Sequence, residues 1–341
     1  MNKSLRNFFV AAAGLTLISA CGGSSDDDGG LTGGVPPAEP ATITAENAPL
    51  IAGTVAEVAM GEGIFTSLFT PTIPIGSIGT DAAVAPVMKP VLSAAMKTAN
   101  PSQLYATSAG QEPCGVSGTV DVTVNFSNPD QPSINDSFAF QFTDCDDGTG
   151  VTLNGSMTIT ISAIDGDMAS GNMLLGMRIE FSAFAVTEGG ETTSAEGTIS
   201  IDIDTRDPTV TKITVATNAL VTNSAGTEEV LTNFTVEITE DTSMFPSAVT
   251  VETSFTLSSP RIGGAVTVTT SLSLQSMGSD YPFVGELTIT GAGNAVIVMI
   301  ALDANTVRLQ IDIDGDGATD ETLDMTWDEL MAAAADRKSV V

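Results

Sequence analysis

Histidine is absent from this 341-residue chain. That absence excludes a Ser-His-Asp triad, a Cys-His pair and histidine-ligated zinc or haem. Basic residues are scarce: 11 Lys and Arg stand against 42 Asp and Glu, for a net charge of −31. Such a surface repels phosphate backbones, so nucleic acid is excluded as a partner, and it attracts divalent cations. Aromatic residues are few, with one Trp and two Tyr. The interfacial girdles of a transmembrane barrel need more than that. The apolar run from Phe8 to Ile18 falls short of the about 20 residues that span a bilayer. Cysteine occurs three times, at Cys21, Cys114 and Cys145, with no Cys-x-x-Cys spacing to suggest a metal.

What is present at the start reads as an export signal. Lys3 and Arg6 precede the apolar run, and small residues follow it. The exit, Ile18-Ser19-Ala20-Cys21, resembles the lipobox of bacterial lipoproteins. That resemblance implies cleavage before Cys21, acylation of its sulfur, and a mature chain held at the membrane by lipid. A single acyl chain holds a protein only marginally, at ~0.8 kcal/mol per buried methylene. The family carries three. Gly22 stands where an aspartate would resemble an inner-membrane retention signal, which points to the outer membrane. Losing Lys3 and Arg6 with a signal of residues 1–20 makes the net charge two units more negative than −31. Residues 21–42, rich in Gly, Ser, Asp and Pro, read as a flexible tether. In an exported protein Cys114 and Cys145 are expected to pair, closing a loop that contributes about 3–4 kcal/mol.

Residues 43–110 read as a helical and irregular segment. Asn47-Ala48-Pro49 looks like a helix entry, with Leu50, Ile51, Val55 and Val58 on one face. A second helix is expected over 81–98, where Val84, Val87, Met88, Val91, Leu92, Ala95 and Met96 follow helical spacing and Pro90 kinks it. The stretch 63–80 reads as an irregular connection.

From 111 to 341 a β domain is expected. Val120, Val122, Val124 and Phe126 alternate with polar residues, and so do Phe138, Phe140 and Phe142, then Met157, Ile159 and Ile161, then Ile199, Ile201 and Ile203. Further strands are expected at 173–186, 210–220, 228–239, 247–258, 264–275, 284–291, 294–301 and 305–313. Gly118, Gly155, Gly197, Gly264 and Gly285 each open such a run, and turns take glycine. Asn154-Gly155 and Asp165-Gly166 are hairpin-type pairs. Strands joined by turns imply a mainly β fold: an antiparallel meander curling into a strongly curved or barrel-like sheet, with N-terminal helices and a short C-terminal helix. The 81–98 helix is expected against the concave side.

The sharpest chemical motif is Asp312-Ile313-Asp314-Gly315-Asp316-Gly317, followed by Asp320 and Glu321. Asp312, Asp314 and Asp316 resemble positions one, three and five of an EF-hand calcium loop, with Gly317 at the turn and Asp320 at the ninth position. A hard cation takes six to eight oxygens, and alternate aspartates converge several carboxylates. The twelfth position holds Leu323 instead of an acid, with Asp324 or Glu321 as substitutes; a strand ending at Ile313 replaces the entering helix. The competing reading is an acidic turn in which Asp and Gly are turn formers. Beyond it, Thr326 and Glu329 form a capping box, with Trp327 as a core anchor and Arg337 and Lys338 at the helix end. The combination of the acidic loop with Thr326-Trp327-Asp328-Glu329-Leu330 resembles the ends of other bacterial outer-membrane lipoproteins, a resemblance that carries no activity.

Three functions follow as expectations. The first is a non-enzymatic envelope lipoprotein, a binding or structural module whose partner or ligand the sequence does not name, with calcium as its one candidate cofactor. The second is a carrier of a hydrophobic ligand, lined from 138–142 and 157–161. The third is a carboxylate hydrolase, which needs two facing acids; no spacing selects a pair, so no catalytic residue is assigned.

Overall fold

The computed structural model describes residues 38–60, 108–127, 132–146, 148, 150–167, 171–224 and 226–335. The export signal with Cys21, the 63–80 connection, the 81–98 helix, and Arg337 with Lys338 lie outside the described residues.

Fourteen strands form a single antiparallel sheet, each hydrogen-bonded to the next in sequence. They are β1 (Ser108–Pro113), β2 (Ser117–Asn125), β3 (Ser137–Asp146), β4 (Val151–Asp167), β5 (Asn172–Glu188), β6 (Glu191–Asp207), β7 (Val210–Ser224), β8 (Thr227–Asp241), β9 (Ala248–Ser259), β10 (Gly264–Met277), β11 (Val284–Thr290), β12 (Val296–Ala301), β13 (Thr306–Asp312) and β14 (Glu321–Thr326). The expected meander is present, and it is open: β1 and β14 are its two edges. Among the described residues, two helices flank it in sequence, α1 (Ala48–Ala59) and α2 (Trp327–Ala335).

Period-two alternation puts one face of β2–β13 toward a common core. Val120, Val122 and Val124 are buried there, with Phe140, Phe142, Met157, Ile159, Ile179, Ile199, Leu257, Leu287, Ile297 and Leu309. The two edge strands were not read from the sequence. Ser108–Pro113 has no apolar alternation, and it pairs by backbone alone with β2 from Ser108↔Val124 to Pro113↔Thr119. It also crosses the boundary expected at 110. Glu321–Thr326 was absorbed into the acidic loop, yet it pairs with β13 through Ile311↔Glu321 and Leu309↔Leu323.

The glycines that open each run are mostly not turn residues. Asn154-Gly155 and Asp165-Gly166 lie inside β4. Gly155 has φ 85 at a register shift between Asn154 and Ser156. A Cβ there would collide with the Ala183 carbonyl oxygen. Gly197 does the same in β6, where a Cβ would meet the Ala219 carbonyl oxygen. Left-handed Asp144, Ala183 and Asn233 continue the line on β3, β5 and β8. Bulges bend a strand and increase its twist. A row of them across β2–β8 therefore folds the long strands about one transverse line. Glycine is present for close backbone approach within strands, a need that looks the same in sequence as a turn.

Helix α1 begins as expected, with Pro49 in its first turn. Asn47 fixes the entry: its Oδ1 accepts from Thr44 N (2.8 Å) and its Nδ2 donates to the Thr42 carbonyl (2.8 Å). Burial exceeds the single face expected, since Ala48, Leu50, Ile51, Ala52, Val55, Ala56, Val58 and Ala59 are all buried. The helix lies against β12, β13 and α2. A Cβ at Gly53 would strike the Leu330 carbonyl oxygen of α2, so glycine sets this close crossing. Arg261 ties the unit together: its Nη2 donates to the Ala334 carbonyl (2.7 Å) and approaches Glu57 (3.4 Å), while Nη1 approaches Glu229 (3.7 Å). Upstream, Ala41 is fully buried; its N–H donates to Ala265 O (2.8 Å) and its carbonyl accepts from Ala292 N (2.8 Å). Glu39 and Ala41, inside the stretch expected as tether, are thus paired with Ala265.

Cys114 and Cys145 are joined by a disulfide with Cα atoms 5.4 Å apart, within the usual range. It ties the β1–β2 connection to β3.

Candidate functional site

The acidic loop runs from the end of β13 to the start of β14. Asp312 is half-buried and holds the turn from inside: its Oδ1 accepts from Gly315 N and its Oδ2 from Gly317 N, both at 2.8 Å. Asp320 closes the loop by accepting from Ile313 N (2.8 Å), while its own N–H donates to the Ile311 carbonyl (2.8 Å). Gly315, with φ 74, packs against Gly293, where a Cβ would lie 2.6 Å from the carbonyl oxygen. Hence the loop has one shape, fixed by its own aspartates.

Asp312, Asp314 and Asp320 each bring one carboxylate oxygen within 4.8 Å of the others. Asp316 is not in this group; its Oδ1 accepts from Ala318 N (2.7 Å) as a turn former. The substitutes for a twelfth ligand fare differently. Asp324 is held by Arg308 through Nε (2.7 Å) and Nη2 (2.8 Å), a fork that pulls its carboxyl below the usual range. Glu321 sits at the first pair of β14. Three oxygens of one loop suit a hard cation such as calcium rather than zinc, and carboxylates already accepting N–H bonds retain lone pairs for a metal.

The capping box forms as the sequence indicates. Glu329 Oε2 accepts from Thr326 N (2.8 Å), and Glu329 N donates to Thr326 Oγ1 (3.1 Å). These contacts hold the Glu329 carboxyl below its ordinary value. Trp327 is the expected core anchor: it is 1% exposed, its Nε1 donates to the Asp303 carbonyl (3.3 Å), and it stacks on Tyr281 at 5.6 Å.

The stretches expected to line a cavity face the core. Phe140, Phe142, Met157 and Ile159 are buried, with Phe142 against Phe184 at 6.0 Å. Half-buried apolar residues lie in another row. The register aligns Ile164 with Leu175, Leu175 with Ile203, Ile203 with Ile213, and Ile213 with Ile238. Directly paired residues share a face. Leu175 has the parity of buried Ile179, so this row is on the core side, yet all five are only half-buried. The same row continues to Val251 and Leu274, both buried.

Next outward comes a row containing Glu240, Val249 and Ser276. Glu240 is 6% exposed and accepts one hydrogen bond, from Ser247 Oγ to Oε1 (2.9 Å). Ser276 is 3% exposed and its hydroxyl has no partner. The other buried carboxylate among the described residues, Asp136, is saturated. It accepts from Ser127 N and Oγ (both 2.8 Å) and Ser133 N (2.7 Å). Burial pushes its pKa up, but these donors outweigh burial and hold it below 3.8.

No protein-family model matches this chain, and no curated protein matches it by sequence.

Proposed function

We propose that the protein is a non-enzymatic, lipid-anchored protein of the bacterial outer membrane, serving as a binding or structural module. The observation that carries this reading is the arithmetic of the cysteines. Cys114 and Cys145 are joined to each other. Of the three cysteines in the sequence, Cys21, at the exit of an export-signal pattern, is the one outside this pair. A disulfide also belongs to an oxidising compartment. The test is mass spectrometry of the N-terminal peptide from cells. A diacylated or triacylated Cys21 is expected, with Cys21→Ala shifting the protein out of the membrane fraction. A chain that retains Met1 and carries no fatty acid overturns the reading.

Calcium held by Asp312, Asp314 and Asp320 is the finer reading of the acidic loop, with a structural role. At 100 times its dissociation constant a ligand stabilises by about 2.7 kcal/mol. Millimolar calcium is therefore expected to raise the melting temperature, and Asp314→Ala to abolish the rise. A flat calcium response returns the loop to a turn.

A second reading, carriage of a hydrophobic ligand, is favoured by the half-buried row from Ile164 to Ile238.

A further inference from the structure

The carrier reading leaves the ligand class open, and the inference here rests on that reading. Ile164, Leu175, Ile203 and Ile213 belong neither to the core cluster nor to the side chains packed against it. They nevertheless face inward on four consecutive strands, with Ile238 next on β8. Apolar side chains in such a row offer a hydrocarbon chain a path across the strands, at about 4.8 Å per strand. Glu240 and Ser276 lie one row further toward the strand ends. Glu240 uses one of a carboxylate's several acceptor sites, and the buried Ser276 hydroxyl uses none. Buried polar groups without partners are costly and rare. Ser276 is such a group, and it flanks Val249 together with Glu240, whose carboxylate is bonded by Ser247.

Charge decides what head group fits. The same strand ends carry Asp204, Asp207, Asp241 and Asp280. The cations beside Asp204 are already paired: Arg206 with Asp204 (2.7 Å) and Asp165 (2.8 Å), and Lys212 with Glu237 (2.7 Å). An anionic head is repelled; a cationic donor finds an acceptor in Glu240.

We propose that the concave side of β4–β8 binds a single-chain amphiphile with a protonated amine head, its chain over Ile164, Leu175, Ile203, Ile213 and Ile238 and its amine at Glu240 and Ser276.

The test is calorimetric titration of the mature full-length protein with tetradecylamine, tetradecanol and tetradecanoate below their micellar concentrations. One equivalent of amine is expected to bind saturably, at least tenfold tighter than the alcohol, with no saturable binding of the carboxylate. Glu240→Gln is isosteric and is expected to weaken the amine at least tenfold. Glu237→Gln, from the opposite face, is expected to leave it unchanged. Ile213→Asp is expected to abolish binding; should it fail to fold, Ile203→Ser tests the same chain contact with a several-fold loss. Equal binding of alcohol and amine overturns the head-group assignment while leaving the carrier reading in place. No binding of any probe overturns both. Uptake of many amines per chain, unmoved by Glu240→Gln, is adsorption to an acidic surface and also overturns the proposal.

Discussion

Between β9 and β13 the inward side chains are shut away from water: Leu257, Val268, Leu287, Ile297, Val307, Leu309 and Ile311 are all fully buried. Toward one end of β4–β8, inward residues of the same chemistry and parity, from Leu175 to Ile238, stay half open, although Ile179, Ile199, Leu220 and Phe234 on the same strands are buried. Alternation of β-branched residues is equally regular in both regions, so the strands themselves do not account for the difference. Helices do at one end, for α1 lies on β12 and β13, and α2 on β14 and α1. Strand pattern chooses which face turns inward; a second layer decides whether that face is sealed.

The comparison can be broken most directly by truncation. Leu309→Ala in the sealed region is expected to cost about 3–5 kcal/mol, because a buried leucine leaves both lost transfer energy and a cavity. Ile203→Ala in the open region is expected to cost less than about 1.5 kcal/mol. Urea denaturation measures both, and equal losses would show that the two regions are covered alike. The Cys114–Cys145 bridge secures the open region's end of the sheet, linking residues 31 apart in sequence. Replacing both cysteines by serine is expected to cost about 3–4 kcal/mol. No loss would mean that β1–β3 are held by packing alone.

Asp136 sharpens the comparison through pH. Its folded pKa lies below the unfolded value of 3.8. Its stabilising effect is therefore complete above the unfolded value and is lost as pH falls through the folded one. Asp136→Asn is expected to cost about 2 kcal/mol at pH 7, since hydrogen bonds to a charged acceptor weaken to neutral ones. That gap should close as pH falls through the lowered folded pKa, and a constant gap across the acid range would show that the carboxylate charge plays no part.

Much of the fold was legible because half-buried strands advertise themselves. Val120, Phe140, Ile159 and Ile199 are all buried as their alternation indicates. The capping box at Thr326 was legible for a local reason, since both partners lie within one helical turn. What escaped depended on non-local geometry. Gly155 looks like a hairpin residue until Ala183, twenty-eight positions on, is seen crowding it. β1 has no pattern of its own and becomes a strand by completing the hydrogen bonds of β2. Within the acidic loop the sequence supplies three aspartates at alternate positions and one beyond. Only the folded turn separates Asp316, spent on Ala318, from the three that converge. The open row from Ile164 to Ile238 was invisible because its residue types match those of the sealed rows.

Because each strand's neighbours are simply the previous and following ones, no strand of the meander waits for a distant part of the chain; the Glu39–Ala41 segment, by contrast, pairs with Ala265 and Ala292 only once those residues have been made. A polypeptide emerging end first from a ribosome or a membrane pore could lock every hairpin as the next strand appeared, with short loops to close at each step. Such an order of assembly would leave the newest strand exposed only until its successor arrived, and α2, docking last on α1, would close the structure.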